Sequence, residues 1–156
     1  MPVGDDTFAY RRRLPHLSKE NKTYFVTFCT CQRFFLIPTA LDQVLASCVH
    51  DHPQQYWLHC AVVIPDHVHL ILTPHARTLV KIIGSIKGAS AYRVNRLIGR
   101  SGPLWQEESF DKIVRRSENL LKKAEYIAAN PVRAGLVTSP DAYRWLWRAE
   151  FQQATG

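Results

Sequence analysis

The segment IPDHVHLILT (residues 64–73) decides how the chain is interpreted. After the Pro-Asp pair, side chains of different character alternate with a period of two, which is typical of a strand with two distinct faces. Together with the apolar segment 57–64, it predicts a β-hairpin that turns at Pro65-Asp66. One face would carry Val68, Leu70 and Leu72, and the other His67, His69 and Ile71.

His67 and His69 are two polar rings on the same face of an otherwise apolar strand. Residues two apart on a strand are separated by about 6.6 Å, so the imidazoles can bind one cation, and burying them without partners would be unfavourable. The alternative is a packed or hydrogen-bonded pair. A second pair, His50 and His52, is the weaker metal candidate because residues two apart on a helix face different directions.

The remaining elements follow from apolar spacing, β-branched content and helix-capping residues. Strands are predicted near 24–30 and within 105–114, and helices near 38–50, 78–98 and 117–130. We expect Gly84, Gly88 and Ala89 to allow close packing of the long helix on the sheet. The order predicts an α+β, ferredoxin-like (RRM-like) antiparallel sheet with helices on one face, plus an extra C-terminal helix that carries a tyrosine.

The composition indicates one globular domain over residues 1–156, with a basic N-terminal arm (about 1–22) and an aromatic C-terminal tail (about 138–156). No segment resembles a membrane span or a signal peptide, so we expect neither membrane insertion nor secretion. The four cysteines lack C-x-x-C spacing and are expected to be reduced thiols in the cytoplasm.

The net charge is +7, with 13 Arg and 7 Lys, and the segment 77–133 accounts for the whole excess. Such an Arg-rich surplus favours phosphate recognition, because guanidinium groups match phosphate oxygens. The alternative is a surface that only keeps the protein in solution.

Tyr126 lies off the apolar stripe of the last predicted helix. Lys122 and Lys123 lie about one turn before it and Asn130 one turn after it. A tyrosine can act as a covalent nucleophile, and an amide oxygen such as that of Asn130 could join two histidines on a metal ion. The alternative is a half-exposed surface tyrosine.

Two motifs together resemble those of a known family. They are IPDHVHL (64–70) and EYIAANPVRAGLV (125–137), supported by YFVTF (24–28) and LWQ (104–106). The chain resembles the Y1 transposases of the HUH superfamily (IS200/IS605-like), and in particular the REP-associated tyrosine transposases, over roughly residues 10–145. The family's insertion-sequence members carry Gln where this chain has Asn130.

The resemblance implies that His67, His69 and Asn130 bind a Mg²⁺ or Mn²⁺ ion. Tyr126 would attack single-stranded DNA beside a hairpin and form a 5′-phosphotyrosine intermediate without ATP. It also implies a prokaryotic, cytoplasmic, nucleoid-associated protein. We expect a monomer, with a homodimer as the alternative.

The basic residues expected to contact DNA are Lys87, Arg93, Arg96, Arg115, Arg116, Lys122 and Arg133. Two other functions are open at this point. One is a non-cleaving module of the same fold that binds hairpin or single-stranded nucleic acid. The other is a metal-dependent hydrolase that activates water and has no need of Tyr126.

Overall fold

The computed structural model describes residues 21–115 and 120–149. Its strands are β1 (Thr23–Cys29), β2 (Tyr56–Ile64), β3 (His67–Pro74), β4 (Phe110–Val114) and β5 (Leu146–Arg148). Its α-helices are α1 (Pro38–Val49), α2 (Leu79–Ile98), α3 (Leu120–Ala128) and the one-turn α4 (Asn130–Arg133). The strands form one antiparallel sheet in the order β4-β1-β3-β2-β5, which confirms the predicted α+β class.

Strand β3 lies at the centre of the sheet, and its alternation gives the sheet two different faces. Val68, Leu70 and Leu72 are fully buried in the main core beneath α1 and α2. Burying an aliphatic side chain of this size contributes about 1.5–3 kcal/mol. This face, called here the α1/α2 face, therefore anchors β3 and directs its other side chains to the opposite face.

The opposite face, called here the histidine face, carries His67, His69 and Ile71. Helix α3 packs on it, with Leu120 and Ile127 buried against Ile71. The extra helix and the histidine pair therefore share one side of the sheet, while the two helices of the ferredoxin-like core lie on the other.

The end of the last predicted helix differs from the expectation. The sequence predicts a helix near 117–130, but α3 ends at Ala128 and the short α4 follows. Pro131 lies in the first turn of α4, where its missing N–H removes no intrahelical hydrogen bond. Leu121, an apolar residue of α3, is 37% exposed.

The C-terminal segment packs on the sheet, in line with its aromatic content. Tyr143 is buried and its hydroxyl donates to the carbonyl of Val63 at 2.6 Å, and Trp145 Nε1 donates to Asp42 Oδ1 at 2.7 Å. Strand β5 was not predicted, because three residues are too few to show alternation.

The predicted arm is outside the described residues except for its last two positions. In the described ranges, no helix has the length and apolar character needed to cross a bilayer.

The small residues of α2 do not have the expected packing role. Gly84, Gly88 and Ala89 are exposed, and a Cβ added at Gly84 would meet no heavy atom within 4 Å. By contrast, Gly99 ends α2 in the left-handed conformation with φ of 68°, which other residues rarely adopt.

We therefore expect alanine substitutions at Gly99 and Gly84 to change the free energy of unfolding in opposite directions. Gly99→Ala should lower the free energy of unfolding by about 1 kcal/mol, because alanine is strained at positive φ. Gly84→Ala should raise it by about 0.5–1 kcal/mol, because alanine favours the helix. Urea unfolding followed by circular dichroism measures both. A loss of stability at Gly84 would mean that this surface of α2 is covered in solution.

Candidate active site

His67 and His69 are the first and third residues of β3, which begins directly after Pro65-Asp66. Their ring centroids are 4.7 Å apart and the ring planes are inclined by 76°. Strand β3 is held by neighbours on both sides, β1 and β2. The pair therefore stands on a rigid element, as a site that needs fixed geometry requires.

Each histidine is oriented through its Nδ1 atom. The Nδ1 of His67 lies 2.8 Å from Asp66 Oδ1, and the Nδ1 of His69 lies 2.8 Å from Thr27 Oγ1. When Nδ1 carries the proton in these hydrogen bonds, Nε2 keeps its lone pair for another partner. This is the arrangement by which proteins fix metal-binding histidines.

Asp66 is held in turn by Arg33, whose Nε donates to Asp66 Oδ2 at 3.0 Å. Partial burial would raise the pKa of Asp66, but hydrogen bonds from His67 and Arg33 outweigh it and lower that pKa. The carboxylate thus stays ionised beside His67. Arg33 and its neighbour Gln32 both have positive φ, 54° and 53°, in the tight turn after β1.

Burial lowers the pKa of His69 to about 4, with smaller contributions from the charges of His67 and Arg133. His69 is therefore neutral at physiological pH, the state in which imidazole binds metal. In residues 21–115 and 120–149, no three His, Cys, Asp or Glu side chains cluster in a way that could hold a metal ion. The two imidazoles fit a cation whose remaining ligands come from amides, water or phosphate oxygens.

Tyr126 lies on α3 and is 62% exposed, with its ring off the packed side of the helix. The same helix reaches the histidines through a stack of side chains. The ammonium of Lys123 lies 5.5 Å from the ring centre of Phe25, and that ring stacks on His69 at 5.5 Å with 21° between planes. Helix α3 is thus fixed beside the histidine pair on one face of the sheet.

Arg133, expected only as a DNA contact, connects the predicted site residues. Its guanidinium lies 4.1 Å from the ring centre of Tyr126. It donates to the Tyr126 carbonyl at 2.9 Å and to Asn130 Oδ1 at 2.7 Å. Its charge also contributes to the lowered pKa of His69. The Asn130 oxygen expected to bind metal is therefore used by a guanidinium here, and its ligand role stays a prediction.

The other residues expected to bind DNA are divided between the two faces. Lys87, Arg93 and Arg96 lie on α2, away from the histidines. Lys87 donates three hydrogen bonds to the segment 106–109, and Arg93 bonds Ser47 of α1. These contacts give both residues structural roles. Lys122 lies on α3, Arg115 directly follows β4, and Arg116 falls outside the described residues.

The second histidine pair has a structural explanation. His50 is exposed and hydrogen-bonds Asp51, while His52 Nδ1 accepts the backbone N–H of Leu58. The His52 ring also packs edge-on against Trp57 and Trp147. The two rings do not share a partner, in agreement with their ranking below His67 and His69.

Sequence reasoning missed the residues that orient the histidines. Asp66 lies inside the quoted motif, and its position directly before His67 was the available signal. Thr27 lies 42 positions away and meets His69 only through the pairing of β1 with β3. Sequence spacing holds no signal for such a contact.

Comparisons with known proteins found a family and solved structures to which this chain is similar. A family model described as "Transposase IS200 like" matches residues 18–130. A solved structure described as a REP-associated tyrosine transposase bound to a REP hairpin aligns with TM-score 0.61 and 20% identity, over 85% of this chain and 82% of that one. A protein of Deinococcus radiodurans R1, assigned as a transposase, aligns with TM-score 0.49 and 21% identity, over 71% and 92%. No curated protein matches.

The charge of Arg133 can be tested without any substrate. Arg133→Gln should raise the pKa of His69 from about 4 towards, but not to, 6.5, because a repelling cation is removed while burial, the larger cause, remains. NMR titration of the histidine rings in metal-free protein measures the shift. Arg93→Gln, on the other side of the sheet, is the matched control and should leave it unchanged. An unchanged pKa in both variants would place Arg133 away from His69 in solution.

Proposed function

This chain belongs to the IS200-like transposase family, and we propose that it cleaves and rejoins single-stranded DNA beside a hairpin through a covalent tyrosine intermediate. Tyr126 is the proposed nucleophile, and His67 and His69 are the proposed metal ligands. The observation that most supports this function concerns Arg133. Its side chain contacts Tyr126 and Asn130, and its charge contributes to lowering the pKa of His69. This one cation thereby connects Tyr126, Asn130 and His69, three of the four groups that the proposed chemistry uses.

The proposed metal is Mg²⁺ or Mn²⁺, which His67 and His69 would hold. The residues fit such an ion because each Nδ1 already has a partner and His69 is neutral at physiological pH. When bound, the ion supplies Lewis-acid stabilisation of charge on a phosphate oxygen. Asn130 is proposed as a third ligand, and it would have to exchange its hydrogen bond with Arg133 to act as one.

The proposed step is an in-line transfer at phosphorus. Tyr126 Oη forms a bond to the phosphorus as the bond to the 3′ oxygen breaks, and the phenolic proton is lost while the 3′ oxygen gains one. One phosphodiester replaces another, so the later attack of a 3′-OH can reverse the step without ATP. Arg133 would hold the ring and offset negative charge that develops on the phosphate.

The proposed substrate is single-stranded DNA with a hairpin, such as a REP-like element or an insertion-sequence end. Support comes from the fold shared with a transposase whose structure contains a REP hairpin. Lys122 and Arg133 are the described members of the predicted DNA set that lie on α3 and α4. We propose that the protein acts as a monomer.

Replacing the nucleophile tests the covalent step. Tyr126→Phe should lower formation of a protein–DNA adduct at least about 1000-fold, because the attacking oxygen is absent. The measurement is incubation with Mn²⁺ and a labelled hairpin library, followed by a denaturing protein gel. Tyr92→Phe is the matched control, since Tyr92 is also 62% exposed but lies on α2, and it should keep full activity.

Two other gel results would contradict this function. Cleavage without an adduct, unchanged in Tyr126→Phe, would identify water as the nucleophile and a hydrolase. Hairpin binding with neither adduct nor cleavage in the unaltered protein would identify a non-cleaving module.

Metal binding can be measured separately from cleavage. Thr27→Val should weaken Mn²⁺ binding about 10- to 100-fold, because His69 loses the partner that orients its ring, and His67→Ala should weaken it further. Electron paramagnetic resonance of free Mn²⁺ gives the affinities. His50→Ala is the control for general loss of imidazole and should leave the affinity unchanged. Equal Mn²⁺ binding in all variants would rule out the histidine pair as the metal site.

A further inference from the structure

Phe110 is a large apolar side chain left open to solvent next to the candidate site. It begins β4, which lies at one edge of the sheet, and 57% of its surface is exposed. In the β1–β4 register it lies opposite Thr27, the residue that hydrogen-bonds His69. Directly paired residues point to the same face, so Phe110 lies on the histidine face, two strands or about 9.6 Å from β3.

The ring of Phe110 continues a row of rings that ends at the histidine. It meets Phe25 edge-on with centroids 6.3 Å apart, and Phe25 stacks on His69 at 5.5 Å. We call Phe110, Phe25 and His69 the aromatic row. Phe25 contacts both Lys123 and His69, and Phe110 is the end of the row that is open to solvent.

Two lysines lie beside the aromatic row. Lys112 is exposed and pairs with Phe25 in the register, so it lies on the same face. The ammonium of Lys123 lies 5.5 Å from the ring centre of Phe25. Along β1, β3 and β4, all within the described chain, no carboxylate lies on the histidine face. An exposed ring flanked by cations fits a ligand that has both flat bases and phosphates.

We propose that Phe110 is a stacking platform for a base of single-stranded DNA, and that Lys112 contacts the adjoining phosphates. This inference rests on the proposed function and adds a place for the strand that leads to the scissile phosphate. A strand entering over the β4 edge would pass along the aromatic row before reaching His69. Base stacking on aromatic side chains accepts any base, so this site would contribute affinity and not sequence choice.

A second copy of the chain is the competing occupant, since an edge strand can pair with another strand. The charge argues against it, because two copies joined at β4 would bring the same Lys112 side chains together. The net charge of +7 adds to this repulsion. Single-stranded DNA has the opposite charge and fits without this cost.

The first test compares affinities for two uniform probes in EDTA, where no cleavage occurs. One is fluorescein-labelled single-stranded dT20 and the other an abasic strand of the same length, which has phosphates without bases. Phe110→Ala should weaken binding of dT20 roughly 5- to 100-fold and leave the abasic strand almost unaffected. Lys112→Gln should weaken both and reduce the salt dependence of binding, because a phosphate contact is lost.

Two further variants separate the ring from the fold of the edge strand. Phe110→Leu keeps an apolar residue and should lose affinity for dT20, whereas Phe110→Tyr keeps the ring and should retain it. Ile113→Ala is the matched control, because Ile113 is an exposed apolar residue of β4 that pairs with Tyr24 and so lies on the other face. It should bind dT20 like the unaltered protein. Thermal melts show which variants are folded.

Several results would overturn the proposal. Unchanged dT20 affinity in Phe110→Leu, equal loss for the abasic strand in Phe110→Ala, or equal loss in Ile113→Ala would each remove the stacking role. So would tight binding of rU20 with no binding of dT20, or a dimer in light scattering that Phe110→Ala abolishes. If the Phe110 variants bind dT20 with unchanged affinity and still form the covalent adduct, the platform alone is refuted. If Phe110→Ala weakens dT20 binding but the unaltered protein forms no adduct, the covalent chemistry alone is refuted.

Discussion

The pairing register between β1 and β3 is the constraint on which the core and the candidate site both depend. It buries Val26 with Leu70 on the α1/α2 face, and on the other face it sets Thr27 against His69. A slip by one residue would exchange the two faces of the strand. It would place apolar side chains in water and the imidazole in the core, so the energy that fixes the core also fixes the orientation of the imidazole.

The positive charge of the chain is not one continuous surface. Arg93 and Lys87 use their charges to join α2 to α1 and to the segment 106–109, although both belong to the basic segment 77–133. Arg133 combines a ring contact, two hydrogen bonds and an electrostatic effect on His69. The contacts of each cation, and not the net charge, therefore indicate which ones face a ligand.

What could be predicted from the sequence follows from local periodicity. The alternation in β3 and the helical spacing around α2 gave the elements, the fold class and the shared face of His67 and His69. The features that could not be predicted depend on long-range pairing or short segments: the Thr27–His69 contact, strand β5, and the stacking of Arg133 on Tyr126. The helix boundary at Ala128 was missed because proline is acceptable in the first turn of a following helix, and sequence alone does not distinguish a stop from a restart.

The tight turn that holds Asp66 has a consequence for thermostability. Gln32 and Arg33 both adopt positive φ, which costs about 1–2 kcal/mol for a residue with a side chain. Glycine at position 33 would relieve that strain, and it would also remove the guanidinium that fixes the carboxylate beside His67. Selection for heat resistance and selection for a well-ordered imidazole therefore act in opposite directions at this turn, a trade-off found where backbone strain supports function.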